Sequence, residues 1–159
     1  MKKEYYLYYE SPLGIIEIIG NQKALSELHF VDKVKKDDPN APACLIECRR
    51  QLDEYFKGIR REFNIKTELI GTEFQKKVWK ELFRVPFGHT VSYGEMAKAI
   101  GNPKAVRAVG GANGKNKMVI IYPCHRVIGS NGSMVGFGGG VWRKEWLLEH
   151  ERNILAQDK

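Results

Sequence analysis

The sequence has little of what would place a protein in a membrane or outside the cell. Three cysteines in 159 residues are too few for a disulfide framework. The longest apolar runs, such as Met118–Tyr122, are far shorter than the ~20 residues of a membrane helix. The first ten residues hold no apolar stretch of signal-peptide length. These absences predict a cytoplasmic protein with free thiols, and they argue against a membrane protein or a small disulfide-rich domain.

Charge is unevenly distributed along the chain. The 26 Lys and Arg against 19 Asp and Glu give a net charge of +7. Residues 1–70 contain 12 basic and 12 acidic residues, whereas residues 71–159 contain 14 basic and 7 acidic ones. A basic field confined to one segment favours a polyanionic partner such as nucleic acid. The alternative at this point is a solvated basic face that only keeps the protein in solution.

The first part of the chain predicts a small sheet with one helix. Short β-rich runs at residues 5–9, 14–19 and 24–30 are separated by turn signals and predict an antiparallel meander. Helical spacing of apolar residues predicts a helix over 43–57, and alternation predicts a further strand over 63–70. The pattern changes after Ile70, so we expect two domains, 1–70 and 71–159.

The second part predicts consecutive helices. Thr72 and Ser92 each begin a capping-box pattern, and Asn102 with Pro103 after it is expected to begin a third, Ala- and Gly-rich helix. Two short helices joined by a tight turn are typical of a helix-turn-helix. Tight packing against a neighbouring helix is the other explanation of the small residues. The expected fold class is α+β, with a helical, winged-helix-like second domain and a final helix over 142–155.

One cysteine has neighbours suited to chemistry. Cys124 follows the apolar run 118–122, which is a candidate buried strand, and it lies between Pro123 and His125. A thiol needs a nearby base or cation to act as a nucleophile at neutral pH. Adjacent side chains of an extended strand point to opposite faces, so direct contact between the thiol and His125 requires a turn or a water molecule. Burial as an ordinary core thiol is the alternative.

The sequence around Cys124 resembles the active-site motif of the methylated-DNA–protein-cysteine methyltransferases, the O6-alkylguanine-DNA alkyltransferases. Further segments match this family in order and spacing, and together they span roughly residues 71–151. The matching segments are 91–95 (VSYGE), 101–113 (GNPKAVRAVGGAN), 121–128 (IYPCHRVI), 137–140 (FGGG) and 144–151 (KEWLLEHE). The first part of the chain matches only in outline, as the ribonuclease H-like domain of the family.

The resemblance implies a catalytic role for five residues. Cys124 is the expected methyl acceptor, and His125, Glu151 and a bridging water form the relay that removes the thiol proton. Asn116 is expected to order the turn beside the thiol. Tyr93 is expected to donate a proton to the leaving guanine O6. The product is a thioether, which offers no carbonyl for water to attack, so each molecule is expected to react once.

The resemblance also implies contacts with DNA. Tyr93 and Arg107 are the pair expected to turn the target nucleotide out of the duplex, and Asn102 and Ser130 are further DNA contacts. The base pocket is expected to be lined by Val127, Phe137, Gly138 and Gly139. Small side chains let the Ala/Gly-rich helix approach the minor groove closely.

The expected function is therefore direct-reversal DNA repair by a suicide methyltransferase. Its substrates would be O6-methylguanine and O4-methylthymine in double-stranded DNA, and the protein is expected to be monomeric, with no membrane partner. The alternative function is a non-catalytic, alkyltransferase-like protein that binds alkylated DNA without repairing it.

No cofactor or metal is expected. Cys44 and Cys48 share one helix face, and with His29 they could contribute to a zinc site of the kind that some relatives have. No fourth ligand is evident in the sequence, so packing in the core is the preferred interpretation of these two cysteines.

Overall fold

The computed structural model describes residues 3–132 and 140–158. The chain divides into two compact units, residues 1–70 and residues 71–159. We call them unit 1 and unit 2. Among the described residues, no helix is both long enough and apolar enough to span a membrane.

Unit 1 is an antiparallel sheet covered by one helix. The strands β1 (Tyr5–Ser11), β2 (Gly14–Gly20) and β3 (Leu25–Val31) pair in the order β1-β2-β3. Helix α1 (Ala43–Phe56) packs against β1 and β2. Alternation of the strand side chains directs one apolar set toward the helix. The core of unit 1 includes Leu7, Ile16, Ile18, Leu28, Leu45 and Leu52, all of them buried. The predicted α+β class, meander and helix are confirmed.

The strand predicted over 63–70 does not form. Only Thr67 makes a bridge, a parallel one to Leu25. The Leu25 amide donates to Lys66 O at 2.9 Å, and the Glu68 amide donates to Leu25 O at 2.8 Å. The alternation in this segment reflects partial burial, as for Phe63, whose ring lies 5.5 Å from that of Tyr55. A strand needs a continuous ladder of paired residues, whereas this segment has a single bridged residue, Thr67.

Unit 2 consists mainly of helices. They are α2 (Glu73–Leu82), α3 (Tyr93–Ala99), α4 (Val106–Gly114) and α5 (Val141–Gln157), with a 3₁₀ turn at Cys124–Arg126. Two short parallel strands, β4 (Val91–Ser92) and β5 (Val127–Ile128), bring the start of α3 beside the end of the 3₁₀ turn. Both predicted capping boxes are present, with Thr72 Oγ1 and Ser92 Oγ each accepting a backbone hydrogen bond at 3.0 Å.

Helix α4 begins later than predicted. Its N-cap is Ala105, which makes no side-chain capping bond, so Asn102 and Pro103 are not its first residues. Gly101, at φ +81°, ends the preceding helix, and residues 102–105 form a turn closed by the Ala105 amide and Asn102 O at 3.0 Å. Glycine adopts such a positive φ without strain, so the chain can reverse direction at Gly101. The turn that follows contains Asn102 and Pro103, the two residues that the capping pattern had assigned to the start of the helix.

The predicted strand over Met118–Tyr122 is also wrong, although the segment is buried as expected. Its backbone forms turns, with the Tyr122 amide donating to Met118 O at 3.0 Å and the Ile121 amide donating to Val119 O at 2.8 Å. Ile120 has a φ of +72°. Apolar composition predicted burial of this segment but not its conformation. The predicted final helix is confirmed and is slightly longer than expected, Val141–Gln157.

Candidate active site

The Cys124 thiol lies at the first position of the 3₁₀ turn, and its residue is 2% exposed. Asn116 holds the turns that precede it. The Asn116 side-chain amide donates to Tyr122 O at 2.7 Å and to Met118 O at 3.3 Å, and its Oδ1 accepts from the Met118 amide at 3.1 Å. These bonds support the left-handed conformation of Ile120, a β-branched residue that rarely adopts it. The cysteine is therefore presented by a strained turn and not by a strand.

His125, the residue after Cys124, forms a buried pair with Glu151. His125 Nε2 lies 2.7 Å from Glu151 Oε2, and neither side chain is exposed to solvent. Glu151 belongs to α5, so the final helix supplies the carboxylate for a histidine 26 residues earlier in the chain. The sequence prediction that these two residues act together is consistent with this geometry.

Arg126 is a further partner of the Glu151 carboxylate. The sequence interpretation assigned no role to this arginine. Arg126 Nε donates to Glu151 Oε1 and its Nη2 donates to Glu151 Oε2, both at 2.9 Å. Its Nη1 donates to Val85 O at 2.7 Å, and the Gly88 amide donates to Glu151 Oε1 at 2.9 Å. Glu151 thus accepts bonds from a histidine, a guanidinium and a backbone amide, which hold it in one orientation.

The hydrogen bonds assign the proton on the histidine ring. Burial opposes ionisation of Glu151, but His125 and Arg126 hold its pKa well below the ordinary value, so it is a carboxylate. A carboxylate only accepts hydrogen bonds, so Nε2 of His125 must carry the proton. Burial lowers the pKa of His125 despite the opposing effect of Glu151, and the ring is neutral at pH 7. Nδ1 therefore holds a lone pair, and within the described residues it has no protein partner.

Lys144 is a buried cation near the thiol. It is 0% exposed, its Nζ donates to Val127 O, and the same nitrogen lies 5.8 Å from the centre of the Tyr93 ring. Burial raises the pKa of the Cys124 thiol to about 11, against the opposing effects of the Asn116 amide and the Lys144 charge. The thiol is therefore protonated at rest, and it needs a base to become a nucleophile.

A signal for Lys144 exists in the sequence. Lys144, Leu147, Leu148 and Glu151 recur at helical spacing, and all four are buried on one face of α5. Two charged residues on the apolar stripe of a helix indicate a buried site, because such residues are almost never fully buried without partners.

Tyr93 is the first residue of α3 and is 9% exposed. Burial raises the pKa of its hydroxyl, and a hydrogen bond with the Asn113 side chain opposes that effect. The ring also lies against α4, because a Cβ at Gly110 would be 3.9 Å from it. Tyr93, Cys124, His125 and Glu151 are thus buried residues of one cluster in unit 2, and the half-buried Asn116 lies at its edge.

Apart from Tyr93, the residues expected to contact DNA lie outside this cluster. Asn102, Arg107 and Ser130 are exposed. Arg107 is the one long charged side chain of α4, and a side chain added at Gly111 on the same helix would meet open space. Val127 is fully buried beside Lys144. Phe137, Gly138 and Gly139 lie outside the described residues.

The residues weighed for zinc are engaged elsewhere. His29 Nε2 lies 2.8 Å from Glu17 Oε1, and the Cys44 thiol donates to Asn21 O. Cys48 is fully buried in unit 1. Over residues 3–132 and 140–158, no group of three or more His, Cys, Asp or Glu side chains could hold a metal ion.

Comparison with known proteins defines the class. The DNA-binding domain of 6-O-methylguanine DNA methyltransferases matches residues 73–153, and the ribonuclease-like domain of the same enzymes matches residues 4–69. The methylated-DNA–protein-cysteine methyltransferase of Methanosarcina acetivorans is 46% identical over 92% of this chain and 97% of its own. Its Mycobacterium tuberculosis counterpart is 42% identical over 97% and 96% of the two chains.

Solved structures agree with this assignment. The crystal structure of Mycobacterium tuberculosis O6-methylguanine methyltransferase matches with a TM-score of 0.86 and 41% identity, covering 95% of this chain and 94% of that one. The same enzyme in complex with DNA matches with a TM-score of 0.85 and 42% identity, covering 94% and 93%. The chain belongs to the methylated-DNA–protein-cysteine methyltransferase family. The predicted family is confirmed, and the non-catalytic alternative is not supported, because the relatives matched over nearly their whole length carry the methyltransferase name.

Proposed function

We propose that this protein repairs O6-methylguanine in double-stranded DNA by moving the methyl group onto Cys124, once per molecule. The observation that carries the proposal is the buried arrangement of Cys124 beside a neutral histidine. His125 is oriented by Glu151 through Nε2, which leaves Nδ1 as the base. O4-methylthymine, which also carries its methyl group on an exocyclic oxygen, is included in the proposed substrate range.

The proposed reaction is an in-line displacement at the methyl carbon. The thiol proton passes to His125 Nδ1, through a water molecule as the family resemblance implies, and the resulting imidazolium is stabilised by Glu151. The S–CH₃ bond forms while the O6–CH₃ bond breaks, and the electron pair remains on the guanine. Tyr93 donates its proton to the guanine O6, and Lys144 provides a positive charge for the phenolate and the thiolate.

Tyr93 also has a second proposed role, on the DNA side of the pocket. An alkylated base inside a duplex is out of reach of a buried thiol, so it must be turned out of the stack, at a cost of a few kcal/mol. We assign this step to Tyr93 and Arg107, with Arg107 filling the vacated space. The small exposed residues of α4 suit close approach to a minor groove. Asn102 and Ser130 are assigned to the DNA backbone, and Val127 with residues 137–139 to the base pocket.

One chain carries both the thiol and the proposed DNA-binding helix, so the proposal requires no second copy and the protein is expected to act as a monomer. The location proposed for it is the cytoplasm, as the sequence predicts. A crystal structure of a relative holds DNA, which supports the proposed partner.

The test is the stoichiometry of methyl transfer. After incubation with excess duplex containing O6-methylguanine, the intact mass should increase by one methyl group per protein, and peptide mass should locate it on Cys124. Cys124→Ala should accept none and still bind DNA. The matched control is Cys44→Ala, a partly exposed thiol of unit 1, which should still accept one methyl group. Repair of more than one equivalent of DNA would contradict the proposal.

A further inference from the structure

Asn113 is a buried polar residue that the proposed reaction does not use. It lies on α4, is 1% exposed, and its Nδ2 donates to Cys124 O at 3.3 Å. Within the part of the chain that the structure describes, Asn113 Oδ1 is buried and has no hydrogen-bond partner. Buried polar atoms are satisfied in the great majority of cases, because an unpaired one costs free energy. An unpaired acceptor on a residue that bonds to the backbone of Cys124 therefore needs an explanation.

The orientation of the amide is fixed by its neighbours. Cys124 O is a backbone carbonyl and can only accept, so the NH₂ end of Asn113 must face it. Turning the amide over would bring two acceptors together. Hydrogen bonding from Asn113 also opposes the effect of burial on the pKa of Tyr93, so the same NH₂ group serves the tyrosine oxygen. Both amide hydrogens are then used, and only the acceptor remains.

Asn113 contacts both of the residues that are proposed to react with the base. Asn113 lies one helical turn after Gly110, which faces the Tyr93 ring, and it touches the backbone of Cys124. Tyr93 is the proposed proton donor and Cys124 the proposed methyl acceptor, so a base attacked by one and protonated by the other must lie next to Asn113. The other buried unpaired atom among the described residues, His125 Nδ1, already has its use as the proposed base.

The chemistry of alkylated bases suggests what this acceptor binds. The exocyclic 2-amino group is a hydrogen-bond donor of guanine, and in O6-methylguanine it is the only one on the base, because N1 carries no hydrogen. O4-methylthymine in DNA has no N–H group at all. We propose that Asn113 Oδ1 accepts a hydrogen bond from the 2-amino group of O6-methylguanine and so favours this base over alkylated bases that lack the group. The inference rests on the proposed function and adds to it a determinant of base specificity.

The experiment compares two bases that differ only in that amino group. Second-order rate constants for methyl transfer are measured on duplexes that contain O6-methylguanine or O6-methylhypoxanthine. The wild-type protein should prefer the guanine, and Asn113→Leu, which has nearly the same side-chain volume, should reduce this preference by roughly tenfold, the effect of one hydrogen bond. Because both rates come from the same preparation, a loss of folded protein cancels from the ratio. Asn113→Met, with a flexible apolar side chain, provides a second variant.

The matched control is Asn116→Leu, a second amide of the cluster, which bonds to the backbone of the turn and opposes the effect of burial on the pKa of the Cys124 thiol. It should slow transfer from both bases equally and leave the preference unchanged. A preference that is retained in both Asn113 variants, or a wild-type protein that does not distinguish the two bases, would overturn the inference while leaving the proposed function intact. Absence of any methyl on Cys124 in the wild type would instead overturn the proposed function itself, and the inference with it.

Discussion

Both units of the protein contain Arg–Glu pairs, but in opposite surroundings. In unit 1, Arg50 pairs with Glu47 and Glu54 along α1 while about half of its side chain is exposed. In unit 2, Arg126 pairs with Glu151, and their side chains are 8% and 0% exposed. Exposed pairs contribute little to stability because water screens them. A buried pair depends on every partner, because removing one leaves an uncompensated charge.

The distribution of net charge shows the same contrast. Unit 1 balances its charges, and ion pairs such as Arg50–Glu47 and Lys57–Asp53 lie at its surface. Unit 2 has excess basic residues, and the carboxylate of Glu151 is withdrawn into the interior to orient a histidine. The charges of unit 1 thus serve solvation, whereas those of unit 2 divide between a buried candidate site and an exposed basic surface.

The first prediction concerns the buried carboxylate. Glu151→Gln should slow methyl transfer by about 10²–10⁴-fold, the usual contribution of general acid–base catalysis. Duplex DNA and free O6-methylguanine should be slowed alike, because the relay acts on the thiol whatever carries the methyl group. The control is Glu47→Gln in unit 1, which should react as the wild type does. An equal loss of methyl-transfer rate in Glu151→Gln and Glu47→Gln would contradict the expectation that only the buried carboxylate of unit 2 supports the reaction.

The second prediction concerns stability. Arg126→Met should lower the free energy of unfolding by about 3–5 kcal/mol, because Glu151 would lose a two-point partner in the interior. Arg50→Met, which breaks the exposed pairs of α1, should leave the urea midpoint unchanged. Urea unfolding of both variants at neutral pH provides the measurement. A large shift of the urea midpoint in Arg50→Met would show that the stabilisation from an Arg–Glu pair does not depend on its burial.

The third prediction tests the exposed basic residues of unit 2. Arg107→Ala should slow repair of duplex DNA by on the order of 10–1000-fold, since support for a flipping step of a few kcal/mol is lost. Transfer from free O6-methylguanine should be nearly unaffected because no base is turned out. Arg50→Ala, an equally charged and exposed residue of unit 1, is the control and should change neither rate. Slowing of both substrates by Arg107→Ala would assign this arginine to another role.

The fourth prediction is the smallest and concerns pH. The pKa of His125 is lowered in the folded state, so unfolding is accompanied by proton uptake below the unfolded value of about 6.5. The free energy of unfolding should therefore fall as pH decreases from about 6.5, by at most about 1.4 kcal/mol per unit for one proton. The lowered pKa of Glu151 adds a further loss below about pH 4.3.

Urea unfolding between about pH 5 and 7.5 measures this slope. His125→Gln should flatten it, because the variant has no buried ring to keep neutral. The matched control is His29→Gln in unit 1, where His29 is partly exposed beside Glu17, and it should retain the slope of the wild type. An unchanged slope in His125→Gln would mean that other groups set the pH dependence.

Local patterns in the sequence predicted the elements that local interactions form. Both capping boxes, the meander of unit 1 and helices α1 and α5 were correct because their signals depend on neighbours a few residues away. The segments 63–70 and 118–122 were wrong for a common reason. Alternation and apolar composition indicate burial, whereas a strand also needs a pairing partner that another part of the chain must supply.

For the site, the sequence by itself determined the family, the nucleophile candidate Cys124 and the residues His125 and Glu151, because they stand in motifs of fixed spacing. It did not reveal Arg126, Lys144 or Asn113 as members of the same cluster. Each of these side chains is polar and would be solvated on an isolated element. Only the tertiary structure buries them around Cys124, Val127 and Glu151, and burial strengthens the effect of their charges and hydrogen bonds on the orientation and pKa values of the candidate site.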